Sequence, residues 1–188
     1  MKRGLLIIIT FCILGVSKIY ASGDGSAGTL DLFSVGGVGA RAMGLGNAYV
    51  AMPFDATAIY WNPAGMEYVQ KKSFSFFYTN LLAETQYNYI GYVHPTVNFG
   101  TIGIGALRIG TDGIQIVDKQ NVSEGTTSYQ RSQFLLSYAK SLPHSMSVGI
   151  NIKLDYFSMW GNSDTGVGAD LGFLYKPDFG NVILRDIS

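Results

Sequence analysis

Residues 146–156 carry the sequence pattern that most restricts how this chain can fold. Apolar side chains occupy every second position of that stretch, at Met146, Val148, Ile150, Ile152, Leu154 and Tyr156. The positions between them hold Ser147, Gly149, Asn151, Lys153 and Asp155. A period of two residues predicts a β-strand with one apolar and one polar face. The stretch is longer than the usual strand of about 5–6 residues and matches the roughly 9–11 residues that cross a bilayer at a tilt.

The same alternation recurs along the chain from Ser73 onward. We expect further strands at residues 73–79, 87–94, 97–109, 133–139 and 167–176, and residues 182–187 begin a seventh strand. Three of these have clear apolar faces, formed by Ile102, Ile104 and Ala106, by Phe134, Leu136 and Tyr138, and by Val167, Ala169, Leu171, Phe173 and Tyr175. The faces of residues 87–94 are left open, because Tyr87, Tyr89 and Val93 compete with Ile90 and Tyr92 for the apolar side.

The connections between these strands alternate in length, as they do in outer-membrane barrels. Short connections are expected at residues 94–96, 141–145 and 177–181, and long ones at residues 80–86, 110–128 and 159–166. This alternation places Tyr92, Tyr138 and Tyr175 at one depth, where a periplasmic aromatic girdle would lie, and Trp160 at the opposite rim.

The composition agrees with a membrane barrel. Charged residues make up 14% of the chain, against about 25% in an average soluble domain. Glycine (24 residues), tyrosine (12) and phenylalanine (11) are abundant. We therefore predict an all-β fold, a transmembrane antiparallel up-and-down β-barrel. Residues 73–188 supply about 6–7 strands, whereas single-chain bacterial barrels have at least eight, so we expect the first half of a truncated barrel.

Residues 1–21 are interpreted as a cleaved export signal peptide, because Lys2 and Arg3 precede an apolar run too short to span a bilayer. The only cysteine, Cys12, lies in that run, so the mature chain has neither a disulfide nor a thiolate metal site. Removing Lys2, Arg3 and Lys18 from the 13 basic residues leaves 10 against 13 acidic ones, a net charge of about −3. That balance argues against nucleic-acid binding.

Residues 22–72 are predicted to form a compact plug-like segment ahead of the first strand. Asp55 is expected to cap a short helix through Tyr60, and Asn62 to cap a turn that begins at Pro63. If the segment enters the lumen, the guanidinium of Arg41 needs a partner, for which Asp55 is the candidate.

A run of residues in this segment closely resembles the N-terminal signature of the PorV/PorQ family of outer-membrane barrels. The matching residues are 39–51, which read GARAMGLGNAYVA, then Asp55-Ala56, and residues 60–66, which read YWNPAGM. That family belongs to the wider FadL-like group of long-chain fatty-acid transporters. The resemblance implies about fourteen strands with a segment reaching into the lumen. It also implies a signature formed by Gly39, Arg41, Gly44, Gly46, Asp55, Asn62, Pro63, Ala64 and Gly65.

Nothing in the sequence predicts an enzyme, a cofactor or a metal site. Residues 37–42 match a dinucleotide-binding fingerprint only formally, and tight turns explain their glycines better. The two histidines, His94 and His144, lie beside prolines in expected turns and are interpreted as interfacial residues. Lumen-facing charges are expected at Lys153, Asp155, Asp170 and Lys176.

Three functional hypotheses remain open. The resemblance implies, first, a binding and assembly component of type IX-like protein export, with secretion-system proteins or exported cargo as partners. The alternative is a FadL-like channel for hydrophobic small molecules, in which the glycines of the lumen face leave room for the ligand. The third is a non-functional gene fragment. The first two place the protein in outer-membrane lipid.

Overall fold

The structure, a computed structural model, describes residues 36–81, 84–117, 123–159 and 161–176. The expected signal peptide with Cys12, Trp160, the connection at residues 177–181 and the seventh strand lie outside these residues. The described elements are α1 (Ala40–Gly44), α2 (Ala58–Trp61), a 3₁₀ helix (Pro63–Tyr68), β1 (Ser73–Asn80), β2 (Gln86–Thr96), β3 (Gly100–Val117), β4 (Ser123–Leu142), β5 (Met146–Met159) and β6 (Asn162–Tyr175).

The six strands form one antiparallel sheet in the order β1-β2-β3-β4-β5-β6. Each strand pairs with its neighbour in sequence, so every connection in the sheet is a hairpin. This confirms the predicted up-and-down arrangement, which short connections require because a parallel pair needs a longer crossover. The sheet is open in the described ranges, with β1 at one edge and β6 at the other.

The apolar face of β5 is exposed, as the alternation predicts. Ile150 is 41% exposed, Ile152 48% and Leu154 52%, whereas Asn151 between them is fully buried. The predicted faces of β3, β4 and β6 are confirmed in the same way. We call the exposed apolar side of the sheet the outward face and the other side the inner face. Large outward side chains on the other strands are Phe74, Phe76, Ile90, Ile104, Phe134, Leu136, Leu171 and Phe173.

The structure decides the orientation of β2, which the sequence left open. Tyr87, Tyr89 and Val93 are buried on the inner face, and Ile90 is exposed on the outward face. Aromatic side chains on both faces hid the alternation in this strand.

The strands extend further than the sequence predicts, and the expected long connections at residues 110–128 and 159–166 are wrong. β3 and β4 remain paired from Thr111 to Val117, with irregular register between Thr111 and Ile114. β5 and β6 remain paired as far as Met159 opposite Asn162. Residues in these regions are mostly polar and show no sustained alternation of apolar and polar side chains, but the backbone hydrogen bonds of a hairpin do not require one.

The short connection between β2 and β3 is also displaced. β2 continues through Pro95, which pairs with Thr101, and the turn lies at residues 97–99. The pairing of β1 with β2 stops at Val93, so Pro95 lies beyond the edge strand, where a missing N–H costs least. The turn between β4 and β5 lies at residues 143–145, within the predicted range.

Residues 37–69, which we call the N-terminal segment, pack on the inner face and form the core with it. The most deeply buried apolar side chains of the segment are Val38, Ala56, Ala58, Ile59, Ala64 and Met66. No helix of the described ranges is long and apolar enough to cross a membrane.

Candidate functional site

Glycines on the inner face of three strands provide the space in which the N-terminal segment lies. A Cβ atom added to Gly149 would come within 2.5 Å of the Ala64 nitrogen, and one added to Gly103 within 2.5 Å of the Met66 sulfur. A Cβ at Gly172 would overlap the side-chain oxygen of Asn62. These contacts are too close for any side chain, so the glycines are required for close packing of the segment. The segment itself therefore fills the space beside these glycines, which the channel hypothesis assigned to a ligand.

Asn62 begins the 3₁₀ helix, as predicted, and also joins it to the sheet. Its side-chain oxygen accepts a hydrogen bond of 3.1 Å from the Ala64 backbone N–H, and Pro63 occupies the first helical position. Its side-chain nitrogen donates to the carbonyl oxygens of Val50 and Phe173, each at 3.2 Å. Asn62 is therefore both the cap of the helix and a contact to β6. The helix lies just ahead of β1, as the sequence predicts, and ends at Tyr68, five residues before that strand.

Three buried side chains of the sheet donate hydrogen bonds to backbone carbonyls of the N-terminal segment. Asn151 donates to Ile59 at 2.6 Å, Tyr89 donates to Ala56 at 2.7 Å, and Ser147 donates to Ala64 at 2.9 Å.

The backbone carbonyls near α2 and the 3₁₀ helix would otherwise be buried without partners, which costs about 1–3 kcal/mol each. The polar inner face of β2 and β5 thus matches the carbonyls of this segment.

Two hydrogen bonds and a cation–π contact hold the end of the segment near the turn between β4 and β5. Tyr68 donates to the Ser145 carbonyl at 3.2 Å, and Ser141 donates to a Glu67 carboxylate oxygen at 2.8 Å. The Lys176 ammonium, just after β6, lies 5.3 Å from the ring centroids of both Phe54 and Tyr68. Lys176 therefore contacts the segment with its charge over aromatic faces.

The other three predicted lumen charges lie together on the inner face of β5 and β6. Lys153 forms an ion pair with Asp170 at 2.6 Å. Asp155 accepts a hydrogen bond of 2.8 Å from Gln133 and lies 3.8 Å from Arg131.

Asn151 also donates to Asp170, at 3.3 Å, so this charged cluster is continuous with the contacts that hold the segment. The charges pair across strands, which supports a structural role for most of them.

The conformations of the signature glycines explain why glycine is needed at some of these positions. Gly39 and Gly46 have φ values of 94° and 63°, in the region that side chains rarely adopt. A Cβ at Gly65 would approach the Pro53 carbonyl oxygen to 2.6 Å. Gly44 has neither constraint: a Cβ there would meet nothing within 4 Å.

The expected ion pair between Arg41 and Asp55 does not form. Arg41 is exposed, and the Asp55 carboxylate accepts hydrogen bonds from the Thr57 backbone and hydroxyl groups and from the Tyr49 hydroxyl. Asp55 forms the turn before α2, with Thr57 as the helix cap, and α2 ends at Trp61. The predicted ion pair is absent because hydrogen bonds from the nearby residues Thr57 and Tyr49 already occupy the Asp55 carboxylate.

A cavity of about 350 Å³ separates part of the segment from β1. The segment contributes Arg41, Tyr49 and Asp55 to its wall, and β1 contributes Ser75 and Phe77. This cavity could not be predicted from the sequence, because it depends on how far the segment lies from the edge of the sheet.

The described residues contain no group of three or more histidine, cysteine or acidic side chains that could hold a metal ion. His94 contacts Tyr92 within β2, and His144 lies in the turn between β4 and β5. The sheet is antiparallel, whereas the dinucleotide fingerprint belongs to a parallel βαβ unit.

Comparison with known proteins finds no matching family model, no matching curated protein and no matching solved structure.

Proposed function

We propose that the sheet is part of the wall of an outer-membrane β-barrel of the PorV/PorQ type, and that the protein is a binding and assembly component in protein export. The observation that carries the proposal is the division of the sheet into an exposed apolar outward face and an inner face that holds the core. Hydrocarbon is the natural environment of such an outward face. Outer-membrane lipid is then the first partner.

A soluble sheet with this pattern would place its apolar face under a second layer. In the described ranges the layer lies on the other face, where the N-terminal segment packs. The outward side chains Phe74, Phe76 and Leu171 are 63%, 66% and 86% exposed. An apolar surface that extends over six strands favours contact with lipid over contact with water.

The stagger of three tyrosines fits strands that tilt in a bilayer. Tyr92 shares a cross-strand row with Leu136, and Tyr138 lies two residues further along β4. The row of Tyr138 reaches Leu171, and Tyr175 lies four residues further in the same direction. A tilt of about 35–45° shifts the depth by about 2–3 residues for every second strand. The stagger therefore brings the tyrosines towards one depth, as a girdle requires.

The contacts of the N-terminal segment favour a binding and assembly role over a channel. Buried hydrogen bonds from Tyr89, Ser147 and Asn151 hold its carbonyls, and Asn62 joins it to β6. Moving the segment to open a path along this wall would break these bonds together. A segment held in this way suits a fixed support for outer loops that bind exported proteins.

One observation favours the second candidate, a FadL-like channel for hydrophobic small molecules. The side of the N-terminal segment that faces away from the sheet exposes several apolar side chains. These are Met43, Leu45, Val50 and Met52, each between 41% and 53% exposed. A hydrophobic ligand could contact them while the segment stays in place.

Two measurements in the native host separate these functions. Cross-linking followed by purification of the tagged protein from the outer-membrane fraction should recover secretion-system proteins or exported cargo if it acts in export. Deletion of the gene should then reduce export while uptake of a fluorescent long-chain hydrocarbon stays unchanged. The opposite pair of results would replace export with transport. Absence of the protein from every membrane fraction would support the gene-fragment hypothesis.

A further inference from the structure

β1 has a pairing partner on one side only within the described part of the chain. Its other edge presents backbone donors and acceptors, with Phe74, Phe76 and Tyr78 on the outward face. Unpaired strand edges bind further strands, because each backbone group in hydrocarbon needs a hydrogen-bond partner. The proposed barrel wall, on which this inference rests, therefore requires a strand beside β1.

The cavity between the N-terminal segment and β1 specifies what that strand carries on its inner face. Its wall includes Ser75 and Phe77, so an inward side chain from a neighbouring strand would enter it from the β1 side. Among the described residues, Arg41 and Asp55 are the charged groups that line the cavity. A side chain that enters there meets one cation and one anion.

The two charges are not equivalent. The Asp55 carboxylate accepts hydrogen bonds from Thr57 and Tyr49, which satisfy its oxygens. The Arg41 guanidinium is exposed and forms no ion pair with a described residue. A guanidinium presents a fork of donors that matches a carboxylate, so this group, which has no carboxylate partner among the described residues, favours an acidic side chain.

We propose that the wall strand beside β1 in the closed barrel places an aspartate or glutamate in this cavity, opposite Arg41. The remainder of that strand complements β1: apolar side chains on the outward face and backbone hydrogen bonds along the edge. Arg41 then joins the N-terminal segment to the strand beside β1. Pairing at this edge therefore depends on an ion pair as well as on backbone hydrogen bonds.

The test uses the full chain in detergent micelles and a fluorescent synthetic strand of about ten residues, apolar at alternate positions, with one central inward aspartate. Binding is measured by fluorescence anisotropy. A matched peptide carries asparagine in place of aspartate, and a third carries N-methyl groups along one edge to prevent strand pairing. The protein variants are Arg41→Gln and, as a control for loss of charge, Arg108→Gln on β3.

The native protein and Arg108→Gln should bind the aspartate peptide about two- to fivefold more tightly than the asparagine peptide. Arg41→Gln should bind both equally, and the N-methyl peptide should not bind. A preference that persists in Arg41→Gln, or equal binding of the N-methyl peptide, overturns the proposal. Failure of both unmodified peptides to bind also overturns it, while insertion of the protein into lipid would still stand as a separate test of the wall.

Discussion

The Asn151 side-chain amide donates a hydrogen bond of 2.6 Å to the carbonyl oxygen of Ile59, 92 residues earlier in the chain. Asn151 is fully buried, and its oxygen accepts from the Ser137 hydroxyl, which fixes the orientation of the amide. One inward side chain of β5 therefore connects two strands with the N-terminal segment.

Replacing Asn151 with alanine should loosen the segment without unfolding the sheet. The Ile59 carbonyl would lose its partner in a buried position, at a cost of about 1–3 kcal/mol. Amide hydrogen exchange of residues 56–66 should accelerate by at least about fivefold. Asn88→Ala, on the outward side of β2, is the control and should leave this exchange unchanged. Equal exchange in the two variants would show that the bond does not hold the segment.

Gly149→Ala should displace the 3₁₀ helix from the sheet. The new methyl group would lie 2.5 Å from the Ala64 nitrogen, and overpacking of this kind costs about 1–3 kcal/mol. Chemical denaturation monitored by the fluorescence of the segment tryptophan Trp61 measures the loss.

Gly168→Ala is the matched control for that experiment, because its methyl group would lie 3.7 Å from the Lys153 Cβ, an ordinary contact. It should be neutral or slightly stabilising, since alanine loses less conformational entropy than glycine on folding. A Gly149→Ala variant as stable as Gly168→Ala would mean that the segment does not lie against β5.

Asn62→Ala should remove a cap worth roughly 1 kcal/mol, together with the bond to the Phe173 carbonyl. The segment should lose exchange protection at Ala64, whereas the strands keep theirs, so the sheet still assembles. Gln70→Ala, at an exposed position just beyond the segment, provides the control. Unchanged protection at Ala64 in the Asn62 variant would remove the capping role.

Ile152→Arg tests whether the outward face lies in lipid. An arginine near the middle of a bilayer costs about 2–4 kcal/mol in a β-barrel, and about 0–1 kcal/mol near the interface. The variant should fold poorly into lipid vesicles, as judged by protease protection, while Ser158→Arg, on the outward side but next to the end of β5, should fold normally. Equal folding of the two variants would contradict a membrane-spanning β5.

The outward faces of β3 to β6 were predictable because apolar side chains recur at every second position there. Successive side chains of a strand point to opposite faces of the sheet, so this period shows directly which residues share a face. β2 was not predictable, since Tyr87 and Tyr89 are buried by the N-terminal segment and no local pattern encodes that contact. The extension of β3 to Val117 was missed for a related reason: backbone pairing alone maintains the hairpin there.

The capping of the 3₁₀ helix by Asn62 was predictable because it depends on neighbouring residues. The position of the N-terminal segment on the sheet was not predictable, because Gly103, Gly149 and Gly172 lie on three different strands and come together only in the folded sheet. Glycines at inward positions of several strands are the signal that could have located it. The predicted ion pair between Arg41 and Asp55 was wrong, because the Asp55 carboxylate instead accepts hydrogen bonds from Thr57 in its own turn.

The hydrogen bond between Asn62 and the Phe173 carbonyl spans 111 residues. The segment comes first in the chain, but it packs against the Phe173 carbonyl, Gly149 and Gly172, which are in place only when β5 and β6 have formed. Contacts of such high sequence separation form late, because the entropy of closing the long intervening loop must be overcome first. During folding the segment therefore remains undocked until nearly all of the described sheet exists, and it is a candidate for chaperone binding throughout that interval.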